Sequence, residues 1–560
     1  MRRLLAVTVC SCAFVVLTIA STFMSAAIPE PVKIDSGLVA GVASTGQPSV
    51  RVFKGIPFAA PPLGENRWRA PQAPAKWDGV RQAGAFGAPC ITAPAAGRGG
   101  AGGGGRGAGG GRGAAAPPAA PAQPVVAARE PARSEDCLYL NVWTSAKAAS
   151  YRRPVMIWIY GGGFTGGSGG QAWYDGENLA SKGPVIVTIN YRLGALGFFA
   201  HPELAKESGH NASGNYGVMD AIAALQWVKK NISSFGGDPN NVTVAGESAG
   251  ANMVGALVGT PQAKGLFNRA IAESGGWMGL TLARMRSGAS AQADGVRTMD
   301  ALGVKTIAEL RAKPLDQLAG LSASGLIIDG YIVPEDESLT FMAGKQNAVD
   351  VLTGSNKDEA NFGICGAAAG IAGRGGPGGM TAAAFKTAAA TKYGELAEQY
   401  LSLYPVTSDA EAQRAAHESC GDEVNWNMRQ WAALQAKMGK KAYTYFFTHT
   451  PTMNGQPSPQ GATHTAEISF AWNNPKGQAT QTWNDVDTKL ADMMSSYWVN
   501  FIAKGDPNGS NLPQWPAYKD LSTSKVMVLG DTPQVETATL APKLAFFQAA
   551  FQRLMKTSNN

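Results

Sequence analysis

The chain has 560 residues, of which 45% are hydrophobic and 16% charged. That balance excludes a mainly disordered polypeptide and leaves room for a large buried core. The 48 basic and 41 acidic residues give a formal charge of +7. The excess is mild, and no basic cluster is interleaved with aromatics, so a nucleic-acid-binding surface is not expected.

The chain opens with Arg2 and Arg3, then the apolar stretch Leu4 to Ala20, then the small residues Ser25-Ala26-Ala27. This is the pattern of a cleavable export signal over residues 1–27. Its removal takes two positive charges from +7 and leaves +5. The alternative is a membrane anchor, but Thr8, Ser11, Thr18 and Ser21 interrupt the apolar run. No later run has the length of a membrane span. The remainder, 28–555, reads as one domain.

Ser49 to Phe53 reads as a strand and Gly55-Ile56-Pro57 as a turn. From 93 to 131 the chain is nearly all Ala, Gly, Pro and Arg, without an aromatic residue. Such a stretch cannot bury enough apolar area to offset its ordering entropy, so a flexible insertion is expected. Pro154 to Tyr160, Val185 to Asn190 and Val242 to Ala245 are continuous apolar runs, the signature of strands buried on both faces. Helical spacing appears over Asp220 to Lys230. It appears again over 281–321, 381–404, 411–437 and 488–502, and Gly363 to Gly379 reads as a second loop. Alternating strands and helices imply a mostly parallel sheet with helices on its faces.

Gly246-Glu247-Ser248-Ala249-Gly250 fits G-x-S-x-G, but so does Gly166-Gly167-Ser168-Gly169-Gly170, and the chain holds 69 glycines. A nucleophile elbow needs a strand before the serine and a helix after it. Ser248 follows Val242 to Ala245 and precedes the helix-compatible run Ala251 to Leu257. Ser168 follows a glycine loop and precedes no helix start. Ser248 is therefore the candidate nucleophile, and Ser168 reads as an ordinary loop serine. A tetrahedral intermediate needs fixed N–H donors for its oxyanion. Ala249, Gly162 and Gly163 are the candidates, the two glycines because their run directly follows the strand ending at Tyr160.

A serine hydroxyl needs a base, and the base needs a carboxylate to orient it. The expected chain order is serine, acid, histidine. Of the five histidines, His201 and His210 precede Ser248. His417 falls in a helical pattern, and His449 ends a strand-like run that it could simply cap. His464 lies in a loop. Asp358 and Glu359, which follow the strand-like Val349 to Thr353, are rival acids. Of the six cysteines, Cys10 and Cys12 fall in the signal. Cys90, Cys137, Cys365 and Cys420 remain, an even number in an exported chain, which points to two disulfides with three pairings open. None has metal-site spacing.

Phe235-Gly236-Gly237-Asp238-Pro239, Asn241-Val242-Thr243 and the Ser248 pentapeptide together resemble the serine signature of type-B carboxylesterases. Glu135 to Val142 resembles that family's second signature. Phe53 to Ala59, Arg67 to Pro71 and Asn190-Tyr191-Arg192 are similar too, so the resemblance spans 34–552. It implies an α/β-hydrolase fold and a serine esterase, which the export signal would make a secreted one, acting on small-molecule esters without a cofactor or metal. It implies a triad of Ser248, Glu359 and His464, since Gly461 to Glu467 is similar to the family's histidine loop. Asp329 resembles a structural aspartate, Glu247 would tune the site, and Ser274 would hydrogen-bond the triad acid. It also implies a Cys90–Cys137 disulfide, closing a loop of about 47 residues for roughly 4 kcal/mol. Cys365 with Cys420 is the remaining pair and matches no bridge of the family. Cholinesterases carry a choline-binding tryptophan after the first cysteine. No aromatic lies between Cys90 and Cys137, which argues against choline esters. A catalytically silent binding protein of the neuroligin type is the rival reading, and a thioesterase or peptidase using the same triad is a third.

Overall fold

The architecture follows from the buried apolar runs. Val155 to Ile159 and Val185 to Ile189 are apolar at nearly every position and buried throughout. Residues buried on both faces must sit inside a sheet covered by helices on each side. The computed structural model describes residues 28, 30–92, 130–275, 285–318, 321, 323, 325–362, 380–522, 525–537 and 540–557. The expected signal (1–27), most of the Ala/Gly-rich insertion (93–129), the loop from Gly363 to Gly379 and Cys365 lie outside those residues.

Eleven strands form the main sheet among the described residues. In chain order they are β1 (Val42–Ala43), β2 (Arg51–Pro57), β3 (Tyr139–Thr144), β4 (Arg153–Ile159), β5 (Val185–Ile189) and β6 (Gly237–Glu247). Then follow β7 (Arg269–Glu273), β8 (Asp350–Asn356), β9 (Ala442–Phe447), β10 (Lys525–Leu529) and β11 (Gln534–Thr537). Their spatial order is β11-β10-β9-β8-β7-β6-β4-β5-β3-β2-β1. From β5 through β10 all neighbours are parallel, while β1, β2, β3 and β11 pair antiparallel at the edges. This is the α/β-hydrolase architecture that the sequence pointed to.

The order places a switch point at β4. The chain leaves β4 for β5 on one side and reaches β6 on the other. In open parallel sheets the crevice at such a point, beyond the carboxyl ends of the strands, is where ligands bind. The carboxyl ends of β4, β6 and β8 lie on one edge and carry the glycine run, Ser248 and Glu359.

Helices cover the sheet, including α1 (Tyr216–Asn231), α2 (Ala249–Gly259), α3 (Asp409–Lys437) and α4 (Asp485–Lys504). The ends of the long ones are written in the sequence. Ser408 and Glu411 make a reciprocal capping box at the start of α3. Asn484 caps α4, which stops at Gly505 with φ +66°, a left-handed residue suited to glycine.

Two expectations shift. Gly55-Ile56-Pro57 is not a turn but the end of β2, whose register against β3 breaks between Phe53 and Ile56. Gly55 absorbs the break at φ +65°, and its N–H donates to Asn141 Oδ1 at 3.0 Å. β6 begins at Gly237 and runs through Pro239. The Gly, Asp, Pro and Asn residues that hide its start read as turn chemistry, yet Arg153 of β4 pairs with Gly237. Cys90 and Cys137 are bonded, with Cα atoms 4.9 Å apart.

Candidate active site

The elbow is built by close backbone approach. β6 ends at Glu247, Ser248 adopts φ +57° and ψ −125°, and α2 begins at Ala249. Such a conformation is costly for a non-glycine residue and persists only where its surroundings hold it. Here the Ser248 N–H donates to Glu273 O at 2.9 Å. A methyl group on Gly250 would meet Ile159 O at 2.0 Å, and one on Gly246 would meet the Gly250 backbone at 2.7 Å. Both glycines of the pentapeptide are thus fixed by space. Ser248 is only half-buried, while both neighbours are buried.

The glycine run lies against this elbow. A methyl group on Gly161 would meet Glu247 Oε2 at 2.6 Å and Ser248 Cβ at 2.9 Å. Gly162 and Gly163 follow with φ +110° and +60°. The Gly162 carbonyl accepts from the N–H groups of Thr165 and Gly166, each at 3.1 Å. In a trans peptide the next N–H points opposite to the carbonyl, so Gly163 N–H is directed away from that turn. Ala249 opens α2, where the first N–H groups have no partner within the helix.

Glu359 follows β8 and is fully buried. Its Oε2 lies 2.7 Å from His464 Nδ1, and its Oε1 accepts from Asn356 N at 2.8 Å. Asp358, the rival acid, points elsewhere: its Oδ2 accepts from Ala462 N at 2.9 Å. Its own N–H donates to Ala462 O at 2.9 Å. It therefore pins the histidine loop rather than the ring. The other ring nitrogen, His464 Nε2, stands 3.0 Å from Glu247 Oε1, a proximity without hydrogen-bond alignment. Glu247 immediately precedes Ser248, so this imidazole edge lies at the elbow.

Two acids that sequence reasoning did not place in the site complete its electrostatics. Glu467, three residues after His464, is fully buried and accepts from Asn356 Nδ2. Glu273, at the end of β7, accepts from Trp498 Nε1 at 2.7 Å. The H-x-x-E spacing in the histidine loop was the available signal for Glu467. Ser274, expected to bond the triad acid, instead reaches Glu467 Oε1, at 3.5 Å. Asn356 explains the difference: its N–H already holds Glu359, and its side chain turns Glu467 toward Ser274.

Burial disfavours charge on each of these groups. It pushes Glu247 up to about 8, opposed by the His464 imidazole and reinforced by Glu467 and Glu359. Burial with the nearby Glu359 raises Glu467 to about 7. Burial, with Glu467, holds Glu273 well above the carboxylate range. For His464 burial works against the charged ring, but Glu247 and Glu359 outweigh it and raise the imidazole to about 9.

The remaining candidates have local duties. His449 lies between Asp531 Oδ1 at 2.6 Å and Asp487 Oδ1 at 2.9 Å. His201 accepts from Glu203 N at 3.2 Å, and His210 stacks on Tyr331 at 3.8 Å. Asp329 accepts from the N–H groups of Tyr331 and Val333 at 3.1 and 2.8 Å, a structural role. Ser168 is buried and its hydroxyl donates to Glu130. A separate cavity of about 530 Å³, bordered by Trp68, His210, Tyr216 and Tyr331, includes none of the site residues. Among the described residues, no cluster of three or more His, Cys, Asp or Glu could hold a metal. No helix among them is long and apolar enough to cross a membrane.

The model of the carboxylesterase family matches residues 29–547. The chain is 36% identical over 525 residues to the fumonisin B1 esterase of Sphingopyxis macrogoltabida, covering 90% of this chain and 89% of that one. It is 31% identical over 512 residues to the para-nitrobenzyl esterase of Bacillus subtilis, covering 88% and 94%. Among solved structures, a carboxylesterase of Geobacillus stearothermophilus superposes with a TM-score of 0.72 at 31% identity, covering 92% of this chain and 99% of that one.

Proposed function

The chain belongs to the carboxylesterase family, whose members are carboxylic ester hydrolases, and from that premise we propose that it cleaves esters through an acyl-enzyme on Ser248. Ser248 Oγ attacks the ester carbonyl carbon as His464 Nε2 takes its proton. Glu359 holds Nδ1–H and stabilises the imidazolium that forms. The carbonyl oxygen, now negative, is received by the N–H groups of Gly162, Gly163 and Ala249. His464 returns the proton to the departing alcohol. A water then gives a proton to His464 and attacks the acyl carbon; the Oγ–acyl bond breaks, His464 returns the proton to Ser248 Oγ, and the acid is released.

The observation that carries this reading is the 2.7 Å contact between Glu359 Oε2 and His464 Nδ1, beside an elbow against which the glycine run is packed. Nothing in the mechanism calls for a cofactor. The substrates are small carboxylic esters: the two similar enzymes are named for fumonisin B1 and para-nitrobenzyl esters. That breadth supports a general esterase. Export through residues 1–27 is part of the proposal, supported by the Cys90–Cys137 bond, which oxidising compartments favour.

The test is p-nitrophenyl ester hydrolysis by the wild-type enzyme and Ser248→Ala. Loss of turnover in a folded variant supports the reading, and retained turnover sinks it. Export is tested by sequencing the mature N-terminus, expected near Ile28.

A further inference from the structure

The second G-x-S-x-G match, at Ser168, lies in a loop rather than at a strand-to-helix elbow, yet it is not idle. Gly166, whose N–H helps hold the Gly162 carbonyl, leads directly into Gly167-Ser168-Gly169-Gly170. Gly167, Ser168 and Gly169 are each tied down from outside the loop. Arg133 Nη1 donates to Gly167 O at 3.2 Å and to Cys90 O at 2.8 Å. The Ser168 hydroxyl, with 1% of the residue exposed, donates to Glu130 Oε1. Gly169 N donates to Asn190 Oδ1 at 2.9 Å, and Gly169 O accepts from Thr188 Oγ1 at 2.6 Å. A methyl group on Gly170 would lie against Glu130 Oε1 and the Phe86 ring, so the carboxylate packs on the Gly170 backbone. The β5 region supplies the last two anchors. Glu130 and Arg133 come from elsewhere, the stretch just before the disulfide-bonded Cys137.

Resting on the reading that Gly162, Gly163 and Ala249 receive the oxyanion, we infer that Glu130 and Arg133 are positioning residues for the oxyanion hole, acting through Ser168 and Gly167. The chain of contacts is short. Glu130 and Arg133 fix residues 167–168, these fix the turn at 165–166, and that turn fixes the Gly162 carbonyl and hence the Gly163 N–H. A donor's value depends on its direction toward the place where charge develops, and misplacement by about 1 Å costs on the order of 100-fold in rate. The strand before the glycine run cannot supply this constraint. The run leaves β4 through two residues of positive φ, so its far side needs its own anchor. Their effect is expected on transition-state stabilisation rather than on substrate binding.

The experiment measures kcat and KM with p-nitrophenyl butyrate, and Ki for a trifluoromethyl ketone whose hemiketal oxyanion occupies the same donors. Glu130→Ala and Ser168→Ala are each expected to lower kcat by about 10- to 100-fold, with KM within about twofold. Ki should rise by the same factor as kcat falls. Glu130→Gln keeps a carbonyl acceptor for the Ser168 hydroxyl and should restore most of kcat. The double variant should be no worse than the poorer single one, because both remove one contact. If Glu130→Ala does not fold, Ser168→Ala, which deletes a single oxygen, carries the test. Unchanged kcat and Ki in a folded Ser168→Ala would overturn the inference, as would a Glu130→Gln as impaired as Glu130→Ala. Ser248→Ala run alongside separates the two ideas: if it stays active the proposed mechanism fails, whereas if it is inactive and Ser168→Ala fully active, only the positioning role fails.

Discussion

Glu247 Oε1 lies 3.0 Å from His464 Nε2, and Glu359 Oε2 lies 2.7 Å from Nδ1, so the imidazole has a carboxyl group at each nitrogen. Both neighbours favour the protonated ring, which is why His464 is raised to about 9 despite its burial. A protonated imidazole cannot accept the seryl proton. Turnover should therefore fall as pH drops through that raised value, above the ordinary histidine range. Glu247→Gln removes one source of the elevation, so the acid limb of kcat/KM should move to lower pH. A kcat/KM–pH profile of both proteins checks this, and a limb that stays in place would show that Glu247 does not set it.

Glu359→Gln keeps the volume but cannot hold Nδ1–H as an anion does. Turnover is expected to drop by roughly 10⁴-fold with the far-ultraviolet circular dichroism unchanged. Asp358→Asn is a useful contrast, since Asp358 binds the backbone of the histidine loop rather than the ring. Its turnover should fall far less than that of Glu359→Gln.

Gly250→Ala places a methyl group 2.0 Å from Ile159 O. Backbone must move to admit it, so the cost should be at least the 1–3 kcal/mol typical of overpacking, on the order of a few degrees in Tm. Thermal denaturation of Gly250→Ala against the wild type checks it. Gly163 has open space about it, with Thr165 Oγ1 at 3.9 Å, and only its φ of +60° opposes a side chain, so Gly163→Ala should cost less stability than Gly250→Ala.

How far the sequence led depends on whether local chemistry or tertiary contact decides. The strands at Val155 to Ile159 and Val185 to Ile189 were legible because burial on both faces leaves an unbroken apolar run. The elbow was legible because a strand and a helix flank Ser248. The start of β6 was not, since Gly237, Asp238 and Pro239 carry turn chemistry that pairing with β4 overrides. Choosing Glu359 over Asp358 needed the family resemblance, because adjacent acids look alike until Ala462 and His464 each claim one. The Ser274–Glu467 approach was invisible because it depends on Asn356, from a third segment of the chain at the end of β8, holding Glu467.

Removing the Cys90–Cys137 bond should destabilise the fold by roughly 4 kcal/mol, as expected for a loop of this length. Urea denaturation of Cys90→Ala/Cys137→Ala against the wild type measures this.

The most direct test of Ser248 as the nucleophile is where a mechanism-based inhibitor lands. The enzyme is treated with a p-nitrophenyl phosphonate, digested, and the modified peptide sequenced by mass spectrometry, with Ser248→Ala in parallel. One adduct per chain is expected, on Ser248, and none on the variant. An adduct on Ser168 or any other residue, or undiminished labelling of Ser248→Ala, would contradict that assignment.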